Sequence, residues 1–243
     1  APSQFEMAPI FTTANIAADH NQLIMEILQK VAIRRGLVCL LHEKPYAGVN
    51  GSGKHTNWSL STDDGTNLLE PGRTPHENAQ FLLFICALIT CVDRHANILR
   101  RSAANSGNDL RLGGNEAPPA IISIFMGEEL TEILETIAKG KKVKSKSSTT
   151  LEVGVDTLPH LPMDNADRNR TSPFAFTGNK FEFRMVPSSA SISRPCIVLN
   201  TIAAEAIDEI ATRLEKAKDI HKETVSIIRD TMREHGRIIF NGN

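Results

Sequence analysis

The sequence has few of the features that would mark a disulfide-bonded, zinc-binding or membrane-spanning protein. Its four cysteines lie far apart without a Cys-x-x-Cys pair, and three of them sit inside apolar runs. This pattern favours reduced, buried thiols in an intracellular protein, so we expect a cytoplasmic location. The longest apolar run covers only about residues 81–90, which is shorter than a membrane span, and we expect no membrane partner.

An excess of charge of one sign is also absent. The formal net charge is −1, and aromatic residues make up 5% of the chain, with one tryptophan and one tyrosine. Nucleic-acid-binding surfaces usually combine excess basic charge with aromatic side chains. The one basic stretch, residues 139–150, contains no aromatic residue, so we expect no nucleic-acid partner. We predict instead that residues 139–160 form a mobile, solvated insert loop.

The beginning of the chain has neither a methionine nor the basic and apolar regions of a signal peptide. We therefore expect a chain that begins within a longer protein. The remaining composition, with 41% hydrophobic and 23% charged residues over 243 positions, is typical of a globular protein with a sizeable core.

The spacing of apolar residues predicts a chain that contains both long helices and strands, which indicates the α+β class. Helices are expected over residues 15–35, 75–101, 128–138 and 199–235, and strands over residues 37–41, 120–126 and 180–184. The run at 37–41 is short and continuously apolar, which is typical of a buried strand.

A glycine-rich segment at residues 49–62 is the most informative part of the chain. Gly51 and Gly53 permit the close approach of a backbone to a ligand. His55, Asn57 and Ser59 follow at alternate positions, so a strand would direct all three to one face. Such a polar face suits a metal or phosphate site, but an ordinary hairpin with a hydrogen-bonded histidine fits this segment equally well. The spacing of a P-loop is absent, which excludes that motif.

A second polar strand face is predicted at residues 180–184. Lys180, Glu182 and Arg184 alternate there with Phe181 and Phe183. A surface ion-pair ladder would give the same alternation. The aromatic opposite face, however, favours a polar face that lines a cavity across from a packed core.

A third group of polar residues lies in a loop rich in Gly, Asn and Pro that contains Arg111 and Glu116. Imidazole and carboxylate groups suit a divalent cation, whereas arginine and lysine suit phosphate and carboxylate oxygens. The three groups together predict metal-assisted phosphoryl transfer, in which positioning and charge neutralisation supply most of the catalysis.

Five segments, in this order along the chain, resemble the glutamine synthetase family and in particular its large type III form. They are QFEMAPIF, HEKPYAGVNGSGKHTNWSL, RLGGNEAPPA, DRNRTSPFAFTGNKFEFR and RIIFNGN. The resemblance covers essentially the whole chain. It implies a glutamine synthetase/guanido kinase-like catalytic domain with a curved, mostly antiparallel sheet and flanking long helices. Residues 1–243 would form part of that domain, with residues 199–243 as its helical C-terminal part.

The resemblance also implies a reaction and its partners. ATP would phosphorylate the γ-carboxylate of L-glutamate, and ammonia from ammonium would displace the phosphate to give glutamine. Mg²⁺ or Mn²⁺ would be the cofactor and ATP the co-substrate. The full-length protein would be a homo-oligomer, a dodecamer by resemblance, that serves glutamine biosynthesis and nitrogen assimilation.

Twelve residues acquire a role by the same resemblance. The implied groups are the metal ligands (Glu6 for one ion, His55 and Glu182 for the other), the substrate-binding residues (Asn50, Gly51, Arg111, Arg184), the nucleotide-side residues (Asn57, Ser59, Lys180) and the catalytic residues (Glu116, a flap glutamate that takes a proton from ammonium, and Arg170, beside the nucleotide phosphates).

The sequence departs from the family pattern in three respects. A family arginine expected shortly after Arg170 has no counterpart, and Lys180 stands where other forms carry arginine. Further metal-binding glutamates of the family would lie upstream of Ala1. Two alternatives therefore stay open: a catalytically incomplete fragment or pseudoenzyme, and a γ-glutamyl ligase for another amine. The isolated chain is expected to be inactive because it is truncated.

Overall fold

A four-stranded sheet and the helices packed behind it make up most of the described part of the chain. The computed structural model describes residues 3–114, 116–141, 143, 150–151, 161–162 and 172–242. The helices are α1 (Ala14–Arg34), α2 (Ala79–Arg94), α3 (Ala96–Ser102), α4 (Ser106–Arg111), α5 (Glu128–Ala138), α6 (Ser193–Glu215) and α7 (Ile220–His235), with 3₁₀ turns at Pro75–Glu77 and Gly236–Ile238. The strands are β1 (Gly53–Trp58), β2 (Ile124–Phe125), β3 (Thr150–Leu151), β4 (Leu161–Pro162), β5 (Phe174–Phe176) and β6 (Phe181–Pro187).

The main sheet has the strand order β1-β6-β5-β2, and β3 pairs separately with β4. Strand β6 runs antiparallel to both β1 and β5, whereas β2 is parallel to β5. A mostly antiparallel sheet in an α+β fold with long helices is therefore confirmed.

An irregularity in the register separates the two halves of the β1–β6 pair. Lys54 lies opposite Val186, and Thr56 lies opposite Phe183, so β6 has one more residue than β1 between these pairs. Such bulges redirect side chains locally. Here Met185 and Val186, although adjacent in sequence, are both fully buried.

The core lies between the sheet and the helices, and aromatic side chains of the sheet fill its centre. Phe174, Phe181 and Phe183 are all completely buried. Phe174 and Phe181 stack with ring centroids 4.5 Å apart, and Phe183 packs edge-on against Phe174 at 6.3 Å. Helix α2, which is buried over most of its length, packs against α6 and α7.

The helix predicted over residues 75–101 is not continuous. A 3₁₀ turn precedes α2, the side chain of Asn78 caps α2 by accepting a hydrogen bond from the Phe81 amide, and the helix ends at His95. Helix α3 then continues at an angle of 79° to α2. Leu99 of α3 is fully buried in the core. No single helix in the described ranges is long and apolar enough to cross a membrane. The bent pair α2 and α3 together has the length and the apolar composition of a membrane span, but no more than that.

The strand predicted at residues 37–41 is wrong. This segment has no strand assignment, and the side chains of Leu37 and Val38 are 65% and 82% exposed. An apolar run forms a strand only where another strand offers its backbone, and none of the described strands pairs with it. The strand predicted at 120–126 is limited to β2 for the same reason, because only Ile124 and Phe125 reach β5.

The other helix predictions are close to the structure. Helices α1 and α5 match the predicted ranges to within one residue. The helical region predicted at 199–235 begins six residues earlier, at Ser193, and is divided into α6 and α7. The insert loop predicted at 139–160 falls largely on residues 142, 144–149 and 152–160, which lie outside the described residues. That part stays a prediction.

Replacing Phe181 by alanine should lower the free energy of unfolding by about 3–5 kcal/mol, because a cavity would replace the ring that stacks on Phe174. Urea unfolding followed by circular dichroism measures the change. Phe5→Ala is the control, since the Phe5 side chain is 92% exposed and its loss should change stability by less than about 0.5 kcal/mol. Equal losses in the two variants would contradict the assignment of the core.

Candidate functional site

The polar face of the sheet brings an imidazole, a carboxylate and a guanidinium together. It is formed by His55 and Asn57 of β1 and by Glu182 and Arg184 of β6. The Nδ1 atom of His55 lies 3.0 Å from Oε1 of Glu182, and Nε of Arg184 donates to Oε2 of the same carboxylate at 2.7 Å. The two strands thus direct the predicted imidazole and acid to the same place.

Pairing between β1 and β6 produces this arrangement. Asn57 lies opposite Glu182, while Thr56 and Trp58 point to the core side, where Trp58 donates its indole N–H to Asn200 at 2.8 Å. The interpretation as an ordinary hairpin does not hold for β1, which pairs with β6 far away in the sequence, although a local antiparallel bridge joins Ser61 to Asn67 just after it.

The electrostatics of the face keep the Glu182 carboxylate ionised. The hydrogen bond with His55, followed by the one from Arg184, lowers the pKa of Glu182 to about 2, although partial burial opposes this. The imidazole of His55 is half exposed, whereas the side chain of Arg184 is 8% exposed. An ionised carboxylate therefore faces solvent beside an accessible imidazole.

These two groups fit a divalent cation as part of its ligand set. Imidazole nitrogen and carboxylate oxygen are donors that Mn²⁺ accepts, and Mg²⁺ prefers the oxygen. The described residues include no group of three or more His, Cys, Asp or Glu side chains placed to hold a metal ion. His55 and Glu182 would thus supply two ligands.

Glu6 is predicted to bind the other metal ion, and within the described residues it forms no three-ligand group with His55 and Glu182. Its side chain is exposed in the segment that precedes α1. The same segment nevertheless contacts the glycine-rich segment, because Nε2 of Gln4 donates to the backbone oxygen of Gly51 at 3.2 Å. Glu6 is therefore near in sequence to a contact with the site, and its role as a ligand stays a prediction.

The glycines at 51 and 53 make room for a side chain of this protein. A Cβ atom on Gly53 would lie 2.1 Å from Cζ of Arg111, and one on Gly51 would lie 2.7 Å from Cγ of Arg111. The Arg111 guanidinium is buried and donates to Oδ1 of Asn108 at 2.8 Å and to the backbone oxygen of Arg184 at 3.3 Å. Burial lowers the pKa of Arg111, which the charge of Glu43 opposes.

Arg111 therefore lies beneath the glycine-rich segment and not on the polar face. Its predicted contact with a substrate carboxylate stays a prediction. Asn50 and Gly51, the other predicted substrate-binding positions at this end, are half-buried. Arg184, by contrast, lies on the polar face as expected.

The predicted nucleotide-side residues lie toward the other end of the face. Asn57 is exposed opposite Glu182, and Lys180 belongs to the turn between β5 and β6. Just beyond β1, the Ser59 hydroxyl donates to Oδ1 of Asn67 at 2.7 Å and to the backbone oxygen of Asn179, next to Lys180, at 3.4 Å. The structure brings Ser59 and the Lys180 turn together.

The two predicted catalytic residues lie in different situations. Glu116 is exposed in the loop after α4, which is closed by a hydrogen bond from the Gly113 amide to the Pro118 oxygen at 2.9 Å. Arg170 lies outside the described residues. Both roles stay predictions.

Sequence reasoning gave no role to Glu43 and Lys54, two charged residues beside the site. Glu43 is 2% exposed. Lys54 donates to the backbone oxygens of Ser188 and Ala190 at 2.8 and 2.6 Å, and burial lowers its pKa to about 8, with Glu43 opposing. For Lys54, the alternation of side chains along β1 could have indicated this position, because it directs Lys54 to the side of the strand opposite His55.

Comparison with known proteins gives a consistent result. Residues 1–122 match the family described as glutamine synthetase, catalytic domain. The type-3 glutamine synthetase of Dictyostelium discoideum is 56% identical over 246 residues, which cover 100% of this chain and 34% of that protein. The glutamine synthetase of Butyrivibrio fibrisolvens is 51% identical, with 100% of this chain and 35% of that protein covered. The chain thus spans about a third of the length of these relatives.

A solved structure described as apo GmaS without ligand has the same fold. It superposes with a TM-score of 0.53 over 92% of this chain and 47% of that one. The sequence identity is 14%, so this likeness concerns the fold alone.

Glu182→Gln should show a pH-dependent loss of stability. Because the pKa of Glu182 is lowered from 4.5 to about 2, the folded state favours the ionised form, and the ionised carboxylate stabilises the fold above about pH 4.5. Urea unfolding at a series of pH values should give a difference between wild type and variant that is full at neutral pH. The difference should shrink as the pH falls from 4.5 toward about 2. A difference that is constant with pH would contradict the conclusion that the fold favours the ionised form of Glu182.

Proposed function

Because this chain belongs to the glutamine synthetase family, we propose that the protein catalyses the ATP-dependent ligation of ammonia to L-glutamate. The observation that carries this proposal is that the carboxylate of Glu182 joins the accessible imidazole of His55 to the buried guanidinium of Arg184 on the polar face of the sheet. A surface ion-pair ladder would not need its carboxylate shared between an imidazole and a buried guanidinium.

The proposed reaction has two steps, phosphorylation of glutamate and displacement of the phosphate by ammonia. An oxygen of the γ-carboxylate attacks the γ-phosphorus of ATP, which forms γ-glutamyl phosphate and releases ADP. Ammonia then attacks the acyl carbon, inorganic phosphate leaves, and a base takes the surplus proton. The activation is necessary because a carboxylate is a poor electrophile, and two anions must be brought together, which requires compensating positive charge.

The order of the residues along β1 supports a division of the face. The glycine-rich segment with Asn50 and Gly51 precedes the strand, His55 lies in its middle, and Ser59 follows its end beside the turn that contains Lys180. We assign glutamate to the glycine end and the nucleotide to the Lys180 end. The transferred phosphoryl group would then pass beside His55 and Glu182.

Each candidate residue has a proposed task. Arg184, which Glu182 orients, would bind a glutamate carboxylate or the transferred phosphoryl oxygens. His55 and Glu182 would hold Mg²⁺ or Mn²⁺, which supplies charge neutralisation when bound. Glu116 would take the proton from ammonium, Arg111 would contribute to glutamate binding, and Arg170 with Lys180 would bind nucleotide phosphates.

One alternative has a specific observation in its favour. The described residues supply two metal donors at the face, and the chain spans about a third of its relatives. Both facts favour a chain that is catalytically incomplete by itself, so the assays below use the natural full-length protein. A γ-glutamyl ligase for another amine is distinguished by the same assays with small amines in place of ammonium.

We also propose a cytoplasmic location and a homo-oligomeric, dodecameric full-length protein. The four cysteines are all free, which suits a reducing compartment. Apolar side chains on α1, such as Leu23 and Val31, are 54% and 44% exposed and would suit burial in a larger assembly.

Glu182→Ala in the full-length protein should reduce turnover by about 100-fold or more, because it removes a proposed metal ligand and the acceptor of the hydrogen bond from Nε of Arg184. ADP formation that depends on glutamate and ammonium measures the effect. Glu209→Ala is the matched control, since Glu209 also forms an ion pair with an arginine, Arg94, at 2.7 Å but lies in the helical layer. Turnover within about twofold of wild type in both variants would exclude a catalytic role for Glu182.

His55→Ala should weaken Mn²⁺ binding by about tenfold or more in isothermal titration, because half of the identified donor pair is lost. His235→Ala is the matched control: His235 lies 2.8 Å from Asp93, a comparable imidazole–carboxylate pair, but its side chain is only 14% exposed. This control should leave Mn²⁺ affinity unchanged. Equal affinities in all three proteins would argue against a metal site at His55.

A further inference from the structure

Glu43 is a buried carboxylate just behind the glycine-rich segment, and no role in the proposed reaction has been given to it. Its residue is 2% exposed, although it lies in a loop between α1 and β1. A buried carboxylate is stable only where several donors compensate for the lost water. Glu43 has them: Oε1 accepts from the Ser189 amide at 2.9 Å, from the Ser189 hydroxyl, and from Nδ2 of Asn105 at 3.2 Å.

These contacts join segments that are distant in sequence. Ser189 follows β6, and Asn105 is the N-cap of α4, where its Oδ1 accepts from the Asn108 amide at 2.6 Å. The backbone oxygen of Glu43 accepts from the Ser52 amide at 2.7 Å. One residue therefore connects the end of β6, the start of α4 and the glycine-rich segment.

Helix α4 extends the connection to Arg111. Asn108 of α4 accepts from Arg111 and donates to the backbone oxygen of Met185 at 2.9 Å, which fixes the helix to β6. The position of the α4 N-terminus, which Glu43 holds through Asn105, thus determines where the Arg111 side chain enters beneath the glycines.

The glycines at positions 51, 53 and 107 show how closely the glycine-rich segment and α4 pack against Glu43 and Arg111. A Cβ on Gly51 would lie 2.4 Å from the backbone oxygen of Glu43, and one on Gly107 would lie 2.7 Å from its Oε2. Gly53 is in the same situation against Arg111, at 2.1 Å. Three glycines from two segments therefore enclose Glu43 and Arg111, and a small shift of either side chain would have to move the backbone.

The charges of the neighbourhood are balanced by the same carboxylate. Arg111 is a buried cation, and Glu43 is the charge that opposes the lowering of its pKa by burial. Removing the negative charge would leave this cation without that compensation.

We propose that Glu43 is a positioning residue for the glutamate end of the site, which holds residues 50–53 and the side chain of Arg111 in their places through Ser189, Asn105 and Ser52. The effect on glutamate rests on the proposed function; the effect on the backbone does not.

The test compares Glu43→Gln, which keeps an oxygen acceptor and removes the charge, with Glu43→Ala, which removes both. Asp93→Asn is the matched control: Asp93 is a carboxylate whose side chain is 6% exposed, and it is held by His235 and Arg237 in the helical layer. Amide hydrogen exchange and steady-state kinetics are measured on the full-length protein, with thermal unfolding to compare overall stability.

In both Glu43 variants, exchange in a peptide covering residues 49–54 should rise about tenfold, and in Asp93→Asn it should not. The KM for glutamate should rise by about tenfold or more, whereas the KM for ATP should change by less than about twofold, since the nucleotide end lies past Ser59. A loss of stability shared by all three variants cannot produce this difference between the two substrates.

Unchanged exchange at 49–54, or exchange that rises equally throughout the chain, would overturn the proposal. Equal increases in both KM values would also overturn it. If wild type forms no ADP with glutamate and ammonium, the proposed function fails, and the exchange result alone then decides whether Glu43 positions the segment.

Discussion

The alternation of β6 is the constraint on which the rest of the site depends. Phe181 and Phe183 are fully buried against Phe174, and this packing fixes which face of the strand turns inward. Because successive side chains point to opposite faces, Glu182 and Arg184 must then lie on the other side. A shift of the register by one residue would bury the acid and expose the rings. The hydrophobic core therefore determines the position of the polar groups.

Compensation of buried charge is the second principle that recurs through the molecule. Arg184 has Glu182, Arg111 has Asn108 and the Arg184 backbone, and Glu43 has Ser189 and Asn105. The helical layer contains a similar arrangement, in which Asp93 accepts from His235 and Arg237. That group resembles the His55–Glu182 pair in composition. What distinguishes them is access, because the His55 side chain is 48% exposed and the His235 side chain 14%.

The glycine-rich segment has a different function in the structure from the one its composition indicates. Glycines near a predicted phosphate or substrate site are usually explained by close approach to a ligand. Here Gly51 and Gly53 accommodate Arg111 from within the protein. Arg111 and Glu43 thus pack against the inner side of this segment and hold its backbone in place next to the polar face.

Local periodicity in the sequence was sufficient to determine α1, α5 and the two faces of β6, whereas the contact between His55 and Glu182 required the long-range pairing of β1 with β6. The two helices and the faces of β6 depend on residues three, four or two positions apart, and Gly36 and Gly140, both at positive φ, mark the ends of the two helices. Only the tertiary structure decided the 79° break after α2, the absence of a strand at 37–41, the inward direction of Arg111 and the burial of Glu43. Each of these depends on partners far away in the chain, such as Ser189 for Glu43. Whether a polar or apolar group is buried is decided by what packs against it, and a sequence pattern does not contain that information.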